Sequence, residues 1–169
     1  MGVIRSLYKG KFLELVADGK WEYVQRPRGA NPVGIVAVTP EGKLLLISQY
    51  RIPMQKACVE IPAGLAGDTT AGESWKTAAL RELREETGYS ATDMEYLTHG
   101  PPSAGLTSEC MTLARAIGVA KAGAPEPDGD EKIEVHEVPL AEVDAFLQAQ
   151  AALGKLIDPK VYAALYFLK

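Results

Sequence analysis

Three glutamates, at positions 82, 85 and 86, are spaced i, i+3 and i+4 within a segment from Glu73 to Thr87 that contains no helix breaker. On a helix advancing about 100° per residue they share one arc roughly 100° wide. Ala79, Leu80 and Leu83 fill the adjacent arc, which suits packing on a sheet, while Arg81 and Arg84 project elsewhere. Carboxylates gathered on one face repel one another, so the face calls for a cation over it. A donor set made only of oxygen suits Mg2+ or Mn2+. The plain alternative is a solvated charged face, and spacing alone does not separate the two readings. The approach to the helix does. Val59-Glu60-Ile61 reads as a strand end, followed by Pro62 and a loop carrying Gly64, Gly67 and Gly72, with Gly88 as a left-handed stop. An ordinary surface helix has no need of so flexible an approach.

The run Gly67-x5-Glu73-x7-Arg81-Glu82-Leu83-x-Glu85-Glu86-x-Gly88-Tyr89 resembles the 23-residue signature of the Nudix hydrolases at every specified position. In that family the box forms a loop-helix-loop that holds divalent cations against a diphosphate. A wider resemblance, from about residue 33 to the end, is to the ADP-ribose pyrophosphatases. Those proteins place the first box glycine in an Ala-Gly-Leu tripeptide, here Ala63-Gly64-Leu65, which lies eight residues before Glu73 rather than five. Either Gly67 opens the box, or the loop is longer by three residues and Gly64 holds that place. The run Glu60-Ile-Pro-Ala-Gly-Leu favours the second.

The resemblance implies roles for particular residues. Glu82, Glu85 and Glu86 become metal ligands and catalytic groups, joined by the backbone carbonyl of Ala63, with Ala66 as the other candidate. Arg81 is expected to pair with Glu73 and order the loop, and Gly64, Gly67 and Gly88 are structural. Arg28, Arg51, Glu60, Ser103, Gly105 and Glu109 are expected to bind substrate, the last three from a Pro101–Glu109 loop with Ala104 where the family has proline. A base is expected from the loop before a late strand. Gly129 occupies one matching position and cannot accept a proton, which leaves Glu131, with Asp130, Asp128 and Glu126 behind it. Arg26 reads as solvent-exposed, and His99, with no second ligand nearby, as structural or exposed.

The implied activity is Mg2+-dependent (or Mn2+-dependent) hydrolysis of ADP-ribose or a related nucleoside diphosphate sugar, giving AMP and ribose 5-phosphate. FAD, NADH and diadenosine polyphosphates are the alternative substrates. A non-catalytic nucleotide-sensing module is a third reading, which loss of a box carboxylate would favour, and all are present.

These groups need elements to hold them. A chain of 169 residues suits a real hydrophobic core. Strands are expected at 11–16 and 21–26, joined through Asp18-Gly19, and at 33–38, 44–50, 94–99, 110–117 and 133–138, with helices from 139 and near 158. The near-continuous apolar runs at 33–38 and 44–50 read as central strands buried on both faces. Residues 121–132, rich in Gly, Pro and charge, read as a mobile excursion. The fold class is therefore α/β of the α+β kind: a Nudix fold with a mixed β-sheet core between helices and an N-terminal antiparallel strand pair. Residues 1–30 form a dimerisation element and 31–169 the hydrolase domain, the homodimer being implied by the resemblance. A net charge of -4 argues against a nucleic-acid polymer as partner. No apolar run is long enough to span a membrane. Cys58 and Cys110 lack zinc or disulfide spacing, so the expected location is the cytoplasm.

Overall fold

The computed structural model describes residues 3–26, 31–67, 72–127, 129 and 132–169. Strands β1 (Arg5–Lys9), β2 (Glu14–Asp18) and β3 (Trp21–Gln25) form an antiparallel N-terminal sheet in that order. The expected strand pair is thus a three-stranded sheet. Its β2–β3 turn is two residues long, with Gly19 at φ 59°.

Two mixed four-stranded sheets follow. The first has the order β7 (Ala63–Ala66), β4 (Asn31–Val36), β10 (Met111–Ile117), β9 (Asp93–Gly100), with β4 and β10 parallel. The second has the order β12 (Ile133–Pro139), β5 (Lys43–Arg51), β6 (Lys56–Glu60), β13 (Leu156–Ile157), with β6 and β13 parallel. A short ribbon pairs β8 (Tyr89–Ser90) with β11 (Ala120–Lys121). β4 and β5 are neighbours in sequence but belong to different sheets, touching through the Val38–Leu44 bridge.

Helix α1 (Trp75–Thr87) lies on one side, and α2 (Val143–Ala152) and α3 (Pro159–Tyr166) on the other. Alternation along the central strands feeds both cores. Val33, Ile35 and Leu45 pack with Ala78, Ala79 and Leu83 of α1. Val36, Leu44 and Leu46 pack with Val143, Leu147, Val161 and Ala164 of α2 and α3. Burial on both faces is why these strands are apolar throughout.

Helix α1 starts at Ser74, whose hydroxyl accepts from Thr77 N, and stops at Gly88, whose φ of 72° suits the left-handed closing residue. The segment after β11 closes this end: Ala122 N and Gly123 N donate to Gly88 O, and Glu126 N donates to Glu85 O at 2.8 Å. The expected mobile excursion is therefore, in its described first half, a strap satisfying carbonyls at the end of α1.

Candidate active site

Glu82, Glu85 and Glu86 line an open cleft of about 470 Å³, together with Ala63, Gly64 and Leu65 of β7. The strand and helix are in close contact. Glu86 is buried, and its Oε2 accepts from Ala63 N at 2.9 Å. At Gly64 a Cβ would fall 1.9 Å from Glu82 Cδ, so only glycine lets the backbone lie against that carboxylate. Gly67, by contrast, turns with φ 87° in open space, its N–H 3.4 Å from Glu73 Oε2.

Arg81 does not project away from the glutamates as helix geometry alone suggested. Its Nη1 donates to Glu82 Oε1 and to Glu85 Oε2, both at 2.9 Å, while Nε reaches Glu73 Oε1 at 3.2 Å and Nη2 reaches Oε2 at 3.3 Å. The long side chain folds back along the helix, where the acidic face attracts it. Arg81 holds the Glu73 carboxyl below the usual carboxylate range. Among the described residues no three acidic, His or Cys side chains converge on one point in this conformation. The guanidinium instead lies between Glu82 and Glu85, and it shows that this face takes up positive charge. The donors are hard oxygens beside a backbone that admits no side chain at Gly64, and this chemistry fits a divalent cation.

The opposite side of the cleft comes from β5, β6 and α3. Arg51 Nε and Nη2 donate to Glu60 Oε1 and Oε2 at 2.7 and 2.6 Å, a two-pronged pair that fixes the guanidinium at the cleft. Gln49 lies on the same face, and Lys160, in the first turn of α3, pairs with Asp158. At the far end Arg26 Nε donates to Glu109 Oε1 at 2.6 Å. Arg26 is a cleft residue, contrary to its reading as simply exposed. The N-terminal sheet brings it there: Val24 N donates to Leu106 O and Ser108 N to Val24 O, joining β3 to the loop after β9.

Of the residues singled out from sequence, the cleft gathers Arg51, Glu60, Ala63, Gly64, Glu82, Glu85, Glu86 and Glu109. Ser103 and Gly105 are exposed and do not line it; the Ser103 carbonyl accepts from Leu106 N and Thr107 N within its own loop. Arg28, Glu131, Asp128 and Asp130 lie outside the described residues. Pro127, at the near end of that stretch, does line the cleft. His99 Nδ1 is hydrogen-bonded to Thr112 Oγ1 at 3.1 Å, away from the cleft. Sequence reasoning missed Gln49, Met111, Pro102 and Lys160. Only Gln49 carried a signal, as a polar residue in register with Leu45 and Ile47.

Helices on both faces of mixed sheets, with a carboxylate-lined cleft at the β7–α1 junction, describe a scaffold able to hold a cation against an anionic substrate. The model of the NUDIX domain matches residues 30–164. The ADP-ribose pyrophosphatase of Bacillus subtilis (strain 168) is 33% identical, over 97% of this chain and 89% of its own. The ADP-sugar pyrophosphatase of Mus musculus is 31% identical, over 89% and 82%. A protein described as methanol dehydrogenase activator, from Bacillus methanolicus, is 34% identical over 97% and 89%. A crystal structure of an ADP compounds hydrolase superposes with a TM-score of 0.70 at 22% identity, covering 86% of this chain and 80% of that one, a likeness of fold.

The chain belongs to the Nudix family and is a Nudix pyrophosphohydrolase. Enzymes of this family generally need divalent metal ions. Among the described residues no helix is long and apolar enough to cross a membrane.

Proposed function

We propose that this enzyme hydrolyses the diphosphate of ADP-ribose, giving AMP and ribose 5-phosphate, or that of a closely related nucleoside diphosphate sugar. One observation carries the reading: an intact carboxylate face on α1 opens into a cleft that also holds Arg26, Arg51 and Lys160. The two relatives named for ADP-ribose and ADP-sugars, each aligned over most of both chains, support this substrate class.

In this reading Glu82, Glu85 and Glu86, with the Ala63 carbonyl, hold Mg2+, or Mn2+ in its place. The cation, when bound, neutralises phosphate oxygens and lowers the pKa of a coordinated water. Glu82 and Glu86 are the direct ligands and Glu85 bridges or supports them. Arg81 keeps Glu82 and Glu85 aligned from behind through Glu73. Arg51, fixed by Glu60, orients a phosphate through its fork. Glu109, held by Arg26, faces the sugar end, with Arg28, Ser103 and Gly105 as further substrate contacts. Glu131 takes the proton of the attacking water; the approach of Pro127 to the cleft supports a base on this segment.

We also propose a homodimer formed through the N-terminal sheet, residues 1–30, with 31–169 as the catalytic unit. Val3, Ile4, Tyr8, Phe12 and Trp21 expose apolar surface there that a second copy would cover. A cytoplasmic location accords with two free cysteines.

The test is product identification by chromatography after incubation with ADP-ribose, ADP-glucose, FAD, NADH and diadenosine polyphosphates, each with Mg2+ and with Mn2+. Release of AMP and ribose 5-phosphate from ADP-ribose at the highest kcat/KM is expected. Preference for FAD, NADH or a diadenosine polyphosphate would overturn the substrate assignment.

A further inference from the structure

Alternation along β5 puts Leu45, Ile47, Gln49 and Arg51 on one face. Leu45 is packed in the core under α1, while Gln49 and Arg51 reach the cleft. Gln49 is only 8% exposed, yet among the described residues no hydrogen bond reaches its carboxamide. Its NH2 and oxygen are not sealed from solvent; they meet it at the cleft, where a ligand can supply partners that the protein does not. Its neighbours do not supply partners. Ile133 stands across the ladder on one side and Cys58 on the other, and the Cys58 thiol points its hydrogen to Lys56 O. The nearby cations are committed: Arg51 to Glu60, and Lys160 to Asp158. The Cys58 thiol is raised by burial and by Glu60, with Arg51, Asp158 and Lys160 also felt there, so charge of both signs gathers around this point of the β5–β6 ladder.

A ligand that engages the NH2 must bring a hydrogen-bond acceptor to a neutral donor. A diphosphate offers acceptors only. Every other uncharged side chain lining the cleft is apolar or glycine, so the Gln49 NH2 is the one neutral side-chain donor among the described lining residues. We propose that Gln49 is a substrate-binding residue whose NH2 donates to a non-bridging oxygen of the diphosphate. The inference rests on the reading of function given above. A bond of this kind exists in the bound substrate as well as in the transition state, so its loss raises KM and leaves kcat in place.

Steady-state kinetics on ADP-ribose with Q49M and Q49E, alongside thermal melts, test this. Q49M keeps the volume and removes the donor; KM is expected to rise about tenfold with kcat within about twofold, the effect of losing a hydrogen bond to a charged group. Q49E keeps the shape and sets a like charge against the phosphate; kcat/KM is expected to fall by more than about 100-fold. A Q49M enzyme with the KM of wild type, or one with kcat lowered at unchanged KM, overturns the proposal, as does a Q49E enzyme with normal kcat/KM. Wild-type enzyme that leaves ADP-ribose intact overturns the functional reading itself, and this inference with it.

Discussion

Replacing Gly64 with alanine perturbs the contact that sets α1 against β7. The new Cβ would lie 1.9 Å from Glu82 Cδ, 2.0 Å from Oε1 and 2.1 Å from Cγ. Ordinary carbon contacts begin near about 3.5 Å, so the carboxylate must retreat by roughly 1.5 Å, or the strand must move with it. A misplacement of about 1 Å at a reacting centre costs on the order of 100-fold, so G64A is expected to lower kcat/KM by about 100-fold or more, equal to about 2.7 kcal/mol of transition-state stabilisation. The fold suffers less. The displaced atoms end a flexible side chain, and the bond lost is a partly exposed pair with Arg81 at 2.9 Å, worth about 1 kcal/mol or less. Gly67→Ala is the control. With φ 87° and nothing within 4 Å of its Cβ, it carries backbone strain but displaces no carboxylate. That variant is expected to melt earlier, by about 1–2 kcal/mol, and to retain turnover within about threefold. The assay is kcat/KM across a Mg2+ titration, paired with thermal melting. Near-normal turnover by G64A beside a dead G67A would refute the reasoning and move the sensitive approach to Gly67.

Glu82→Gln and Glu86→Gln are each expected to lower kcat by at least about 100-fold with melting curves close to wild type, because each removes a charge from the cation's cradle; normal turnover at saturating Mg2+ by both would remove that assignment. Sedimentation of the active enzyme is expected to give a dimer, and deletion of residues 1–26 a species with raised KM, since Arg26 leaves the cleft with the sheet; a fully active monomer would dispose of the dimer. Tyr89→Phe removes the hydroxyl that donates to Glu137, a carboxyl held below its usual range by Tyr89 and by Lys43 and Lys121. Burial and Glu137 push Tyr89 up to about 12. Both shifts favour the fold between the ordinary pKa values of the two groups, so wild type should exceed the variant by about 1 kcal/mol from about pH 5 to 10, the low end of the range for a partner one-third exposed. The advantage should shrink in acid as Glu137 protonates and in alkali as Tyr89 ionises; a pH-independent difference in urea midpoints would contradict this.

The legible parts of the molecule were those written in local pattern. The box helix was readable because its three glutamates, its leucine arc and Gly88 all lie within one stretch of chain. The central strands were readable because burial on both faces makes 33–38 and 44–50 apolar without interruption. What escaped was set by long-range pairing. Arg26 reads as exposed beside Pro27, and only the pairing of β3 with residues 106–108 turns it toward Glu109. Lys160 carries no signal beyond an Asp-Pro-Lys helix start; it reaches the cleft because β13 pairs with Cys58 and Val59 beside Glu60. The direction of Arg81 escaped for another reason, while its pairing with Glu73 is as the resemblance implied. A helical wheel places its Cα away from the glutamates but ignores the reach of a side chain that can fold back over one turn.

The charges of the cleft imply an order of events. Among the described residues five carboxylates, Glu60, Glu82, Glu85, Glu86 and Glu109, line it against three cations, Arg26, Arg51 and Lys160. The positive groups are already engaged: Arg26 with Glu109, Arg51 with Glu60, Lys160 with Asp158. A bare diphosphate entering this space meets a surplus of negative charge, and each arginine it recruits leaves a carboxylate less well compensated. Positive charge added at the α1 face reverses that balance without disturbing the pairs on the opposite wall. Because Arg81 already occupies Glu82 and Glu85 from the helix side, a cation bound as proposed would share those carboxylates with it. The arginine that pairs with this acidic helix face in the free protein would then also set how readily the face accepts the proposed metal.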